Sequence, residues 1–327
     1  MKRWPGLWTD GRGGPPPRGL LQQIPGNTGW APDTAHQPDL SYIPYLLTGR
    51  RAFLDELVAV AMWNIAGTWP AVRNPPGWDG PGKDMILGHR WLQVRSVAWA
   101  LRQIDSAAWI MPDDDPDAGY LREASAGNWA WLRAQIPAWT AMQGEAHGWL
   151  PGEYGTKNAL PPWQQDYLST TVAAAARRGN ADARAFLRWM ANFLVGRFRA
   201  ESKGFPFNDG AAYLLAIAPD GGSQWQPFRT WSEIGEAMRA HGVSNGDGWA
   251  RSEGDYIRLA MQGLAMVIDV LDLPEAHEAY ARLVALRPPR ARPADFARNP
   301  SQNIVPRGMQ RIASRIRACT PAAPLRG

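Results

Sequence analysis

The chain has almost no cysteine. Its one thiol, Cys319, lies near the end of the 327 residues, which leaves neither a disulfide framework nor a thiolate metal site. Long apolar runs are missing too: none reaches the roughly 20 residues that a membrane-spanning helix needs, so no membrane span is expected and the chain should be soluble. Residues 1–30 contain Gly11-Arg12-Gly13-Gly14 and Pro15-Pro16-Pro17 but no apolar h-region, which argues against a signal peptide in this segment and leaves localisation open. The same glycines neither follow a strand nor open a helix, which excludes a dinucleotide or phosphate loop, and there is no Gly-x-Ser-x-Gly elbow. Glu145 and His147 have no third ligand at helical distance, and Asp113-Asp114-Asp115 lacks the later glutamate of a calcium loop. No metal or other cofactor is expected.

The formal charge of +5 is unevenly spread. From Arg287 to Gly327 nine arginines stand against one acid, so this tail carries +8 and the preceding residues sum to −3. The tail lacks the interleaved aromatics of a nucleic-acid surface and reads as a solvated basic segment, so nucleic-acid binding is not expected.

What the chain does have is a recurring form. Thr48-Gly49-Arg50 separates two apolar runs, with Pro38 placed to open the first helix and Gly49 to end it in a left-handed turn. Pro44 disagrees locally, because its missing N–H predicts a kink or a later start. Leu92 to Ile110 and Ala118 to Ile136 flank the three aspartates; Asp166 to Arg178 and Ala181 to Arg197 flank Gly179-Asn180. The turns at Gly49, Asp114 and Gly179 are 65 residues apart, the equal spacing that stacked helical hairpins produce. Asp255 to Leu271 and Glu275 to Leu286 form a fourth pair. Asp209 to Ala218 with Trp231 to Arg239 make a shortened fifth. The expected fold is all-α, with an irregular segment at 1–32, hairpins over 33–286 and the basic tail over 287–327.

Eighteen tryptophans divide between these helices and glycine-rich loops. Trp99, Trp109, Trp129, Trp131 and Trp189 are expected in the core. Trp30, Trp78, Trp149, Trp225 and Trp249 are candidates for stacking on a sugar ring or a base. Polar and aromatic residues also gather before the first helix of each hairpin: Asp33, His36 and Asp39; His89, Arg90, Gln93 and Arg95; Trp163, Gln164, Gln165, Asp166 and Tyr167; Trp249, Arg251, Glu253, Asp255 and Tyr256. Asp39, Asp166 and Asp255 alone would serve as helix caps, but capping does not call for the neighbouring His, Arg, Tyr and Trp. If the first helices line an axis, these clusters converge. The long loop from Gln143 to Gly155, with Glu145, His147, Glu153 and Tyr154, is a further concentration.

Repeated hairpins, tryptophan-rich loops and polar approaches to the first helices together resemble the (α/α) toroid of six-hairpin glycosidases and related polysaccharide lyases. The resemblance implies a toroid, here incomplete at four to five hairpins unless missing N-terminal sequence or a second subunit closes it. It also implies a polysaccharide or oligosaccharide in a funnel at the inner-helix N-termini. A hydrolase would use two carboxyls, Glu153 with Asp166, or Glu253 with Asp255 from across the funnel. A uronate lyase would use His36 or Tyr167 as base, with Arg95 or Arg251 offsetting the sugar carboxylate. Asp39, His147, Trp163, Gln164, Trp249 and Tyr256 complete the expected substrate contacts. The alternative is a non-catalytic glycan-binding or structural module of a bacterial surface or phage-related assembly.

Overall fold

The computed structural model describes residues 34–37, 39–68, 73, 93–152, 154, 158–220, 225–246, 248–249, 255–287 and 305–307. Among them the protein is all-α, with one minimal sheet. The helices are α1 (Tyr42–Thr48), α2 (Arg51–Gly67), α3 (Val94–Ile110), α4 (Ala118–Gln143), α5 (Pro162–Arg177), α6 (Ala181–Gly196), α7 (Trp231–Ala240), α8 (Asp255–Leu271) and α9 (Pro274–Ala285). Pro38 and the residues before Thr34 lie outside the described set, as does the tail apart from 287 and 305–307; residues 39–41 are not helical, so Pro38 does not open α1 as the sequence predicts.

The hairpin turns form where glycine and polar residues call for them. Gly49 is left-handed at φ 63° and its N–H closes α1 on the Tyr45 carbonyl; Gly179 has φ 95° between α5 and α6. The helix begins at Tyr42, the later start that Pro44 predicts. Pro44 stands third in α1, inside the first turn, where an N–H has no helical partner to lose. The turn at 113–115 is less solvated than its three acids suggest, since the Asp115 carboxylate is buried against Arg51 at 3.0 Å.

Helices α2, α3, α5 and α8 pack side by side in that order, and α4, α6 and α9 form a second row behind them. The first hairpin departs from the expected arrangement, because its second helix joins the front row. The reason is length and burial: α1 has seven residues and buries none, leaving Ile43, Leu46 and Leu47 exposed, whereas α2 buries Leu54, Leu57, Ala61 and Ile65. The fifth hairpin is also corrected. Only its second half is the helix α7. Its first half is a 3-10 helix, Phe207–Ala211, followed by strand β2 (Leu215–Ala216), which pairs antiparallel with β1 (Ala159–Leu160).

One polar hub ties three hairpins together at the turn end of the rows. Asp105 on α3 accepts from Ser125 Oγ (3.0 Å) and Trp129 Nε1 (3.1 Å) on α4 and from Arg178 (2.6 Å) after α5. Arg178 also donates to the Tyr42 hydroxyl on α1 at 2.9 Å. Arg178→Leu is expected to cost about 2–3 kcal/mol, because it strands a mostly buried carboxylate. The measurement is the urea midpoint at unchanged m-value. Nearby, Asp269 on α8 takes Arg177 at 2.8 Å and the Arg307 backbone N–H at 2.9 Å, so residues 305–307 lie against the helices.

Candidate site at the helix N-termini

Three front-row helices begin beside one another at the opposite end, and their first residues touch. The Gln93 side chain does not cap α3; instead the Arg95 N–H donates to Gln164 Oε1 of α5 at 3.0 Å. A glutamine from the neighbouring helix thus supplies the acceptor that the first turn needs. Gln164 is wholly buried, as a side chain spent on this joint must be.

Trp163 follows Pro162, whose fixed φ suits the first helical position. Around the indole stand Tyr154 (centroids 5.6 Å, edge-on), Tyr167 (5.9 Å, edge-on), Tyr213 (6.2 Å, near-parallel) and Tyr256 of α8 (6.0 Å). The Arg95 guanidinium lies 5.5 Å from the Trp163 ring and its Nε donates to Gln93 Oε1 at 3.1 Å. The small sheet explains Tyr213. With Leu160 opposite Leu215, the antiparallel register carried two residues further sets 213 beside 162, next to Trp163.

The cluster continues sideways. Tyr167 meets Trp99 at 4.8 Å, the Arg102 guanidinium stacks on Trp99 at 4.6 Å, and Asp39 lies 3.7 Å from Arg102. Burial lowers the Arg102 pKa, against the pull of Asp39. Gln37 and Asn64 exchange amide hydrogen bonds of 2.6 and 2.7 Å, locking the segment that carries Asp39 onto α2.

Two hydroxyls meet within the cluster. Tyr154 and Tyr213 share one hydrogen bond of 2.5 Å, and burial, then this bond, push the Tyr213 phenol up to about 12. The Tyr213 hydroxyl therefore stays protonated at neutral pH. Phenols, ring faces and a guanidinium together suit a ligand with apolar C–H faces and many oxygens.

Of the residues expected from the sequence, Arg95, Trp163, Gln164, Tyr167 and Tyr256 are brought together, and Asp39 joins through Arg102 and Trp99. Others lie elsewhere. Asp166 is buried one turn into α5 and bound to Arg197 at 2.5 Å, its carboxyl almost wholly enclosed. His147 sits 6.5 Å from Trp189 on α6 with Nδ1 against the Gly144 carbonyl. Trp249 packs on Phe207 at 6.3 Å, and His36 is exposed on the 3-10 turn Thr34–His36. Glu153, Arg251 and Glu253 lie outside the described residues, and Asp255 heads α8 with its side chain likewise outside them.

Tyr213, Tyr154, Trp99 and Arg102 were not among the expected site residues. The apolar run Leu214 to Ala218, bounded by Asp209-Gly210 and Pro219-Asp220-Gly221, is the signal of a short buried strand beside Tyr213, but it does not name the strand's partner. Among the described residues no group of three or more His, Cys, Asp or Glu side chains converges for a metal ion. No family model, no curated protein and no solved structure matches this chain.

Proposed function

We propose that the protein acts on carbohydrate, cleaving glycosidic bonds of a polysaccharide held against the Trp163 cluster at the N-termini of α3, α5 and α8. The supporting observation is the meeting there of Trp163, Tyr154, Tyr167, Tyr213, Tyr256 and Arg95 from segments far apart in the chain. Aromatic faces bind the C–H faces of sugar rings, and phenol and guanidinium groups bind their hydroxyls. Successive hairpins in two rows are the arrangement from which an (α/α) toroid is built, and the cluster would then lie at the mouth of its funnel. The carboxyls for catalysis are sought next to the cluster's tyrosines in sequence: Glu153 precedes Tyr154 and Asp255 precedes Tyr256, with Glu253 close behind.

A second reading, a glycan-binding module without chemistry, is favoured by one fact: Asp166, the leading partner for Glu153, is enclosed with Arg197. The test is a panel of plant, bacterial and animal polysaccharides, assayed for binding and for new reducing or unsaturated ends. Trp163→Ala is expected to weaken binding about tenfold or more. Turnover lost in Glu153→Gln or Asp255→Asn with affinity kept identifies an enzyme; affinity without turnover in the parent protein identifies a module. Failure to bind any glycan of the panel sinks both.

A further inference from the structure

The front row ends differently on its two sides. At one end α8 is backed by α9, whose outward residues His277, Glu278 and Arg282 are polar and exposed. At the other end stands α2, which stays apolar beyond its buried stripe: Phe53 and Val60 on one flank of it and Val58 and Met62 on the other are only half-buried. Beside it α1 turns Ile43, Leu46 and Leu47 to solvent, 54, 53 and 80 % exposed, and Leu40 just before the helix is 63 % exposed. These four side chains present on the order of 400 Å² of apolar surface, the size at which an exposed patch marks an interaction site. Stacked helical hairpins need a polar face at each end to stay apart in water, and this end has none.

The charges at the edge of the stripe say what fits it. Arg51 is spent within the protomer, on Asp55 at 2.6 Å and Asp115 at 3.0 Å. Arg50 and Glu56, on either side of Arg51 and Asp55 in sequence, are exposed and form no ion pair among the described residues. A polyanion or an anionic membrane would call for charge of one sign here. One free charge of each sign instead suits a surface that meets its own copy, because a two-fold axis sets residue i of one protomer against j of the other and j against i.

From this arrangement we infer that two copies of the protein associate through Leu40, Ile43, Leu46 and Leu47 in a two-fold dimer, with Arg50 of each protomer paired to Glu56 of the other. The area sets its strength. Two such patches bury less than the about 1,200 Å² below which interfaces are transient, so the dissociation constant is expected on the order of 10 µM. The dimer joins like ends, which leaves the α8 and α9 end free and closes no ring. It is also independent of the carbohydrate reading, since the stripe lies at the turn end of the rows, opposite the Trp163 cluster.

Sedimentation equilibrium of the full chain between about 1 and 100 µM measures the association, and is expected to show monomer giving way to dimer across that range. Ile43→Glu with Leu47→Glu should leave a monomer throughout. Its melting temperature at the lowest concentration should match the parent's, because neither side chain is buried in the protomer. Arg50→Glu or Glu56→Arg alone should weaken the dimer about tenfold, and the two exchanged in one chain should restore it. A parent protein still monomeric at the highest concentration overturns the inference. So does a dimer that survives Ile43→Glu with Leu47→Glu, which places the contact elsewhere, or one that the charge exchange does not restore. Binding of a monomeric parent to neutral phosphatidylcholine vesicles, lost in Ile43→Glu with Leu47→Glu, would assign the stripe to a membrane surface and overturn it as well.

Discussion

Replacing Arg197 with methionine is expected to destabilise the protein by about 3–5 kcal/mol, the range for leaving one member of a buried ion pair alone. Arg197 and Asp166 are both almost completely enclosed, with 2.5 Å between Nη2 and Oδ1. The guanidinium lies 5.4 Å from the Phe193 ring and 5.1 Å from Phe198, so its flat faces are covered by apolar surface. On the far side α8 comes close through Gly263, where a Cβ would stand 2.6 Å from Asp166 Oδ1. Water therefore has no room to replace the arginine. A double variant, Arg197→Met with Asp166→Leu, should recover much of the loss, since it removes the stranded charge as well.

The same pair makes stability pH-dependent in a defined direction. Burial raises the Asp166 pKa from 3.8 to about 6, and Arg197 opposes that rise without cancelling it. The folded state thus holds this proton more tightly than the unfolded chain does. Its contribution is fully present below about pH 4 and is lost as pH rises to about 6, a change on the order of 3 kcal/mol. Without Arg197 the carboxyl moves higher still, so the penalty of Arg197→Met should grow between pH 5 and pH 8. Urea unfolding at the two pH values measures it. A penalty under about 1 kcal/mol, or one independent of pH, would show that the pair is better solvated than its geometry indicates.

Much of the helical framework is legible in the chain because its signals are local. Apolar periodicity and Leu273-Pro274 bound the helix Asp255 to Leu271 as it is, and the pattern from Ala181 to Arg197 overruns its helix by one residue. The sequence pattern starts α5 at Asp166, four residues later than the structure does, and this difference decides the fate of Asp166. With Pro162 as the first helical residue, Asp166 falls a full turn inside and faces α6 and α8 instead of the loop. The site was legible where it sits on helix starts, as with Arg95, Trp163, Tyr167 and Tyr256. It was hidden where it depends on pairing between distant segments: Tyr213 reaches Trp163 only because residues 159–160 pair with 215–216, and no local pattern announces that register. Buried glutamines were hidden for a related reason. Gln143, Gln164 and Gln165 look like loop polarity, yet each is enclosed and spends its amide on another segment's backbone.

Gly148→Ala is expected to cost roughly 3–5 kcal/mol and to weaken ligand binding as well, since left-handed strain and a backbone clash each contribute about 1–3 kcal/mol. Gly148 has φ 118°, and an added Cβ would lie 2.7 Å from the Trp189 carbonyl oxygen and 2.8 Å from the Phe193 nitrogen. Both are backbone atoms of α6 and cannot swing aside. Gly49 provides the control: its φ is 63° but the space around it is open, so Gly49→Ala should cost only about 1–2 kcal/mol. The link to the site runs through the glutamines. Gln143 accepts from the Gly148 N–H at 2.9 Å and donates to the Trp149 carbonyl at 2.8 Å, and Gln165 on α5 exchanges two bonds of 2.9 Å with Leu150. This strap leads along the chain to Tyr154, whose hydroxyl meets Tyr213. Lifting Gly148 off α6 pulls on the strap beside Trp163, so thermal unfolding and glycan affinity should fall together in Gly148→Ala and stay near the parent values in Gly49→Ala. A Gly148→Ala protein that melts like its parent would mean that the strap is free to move, and that Tyr154 is not held at the cluster by it.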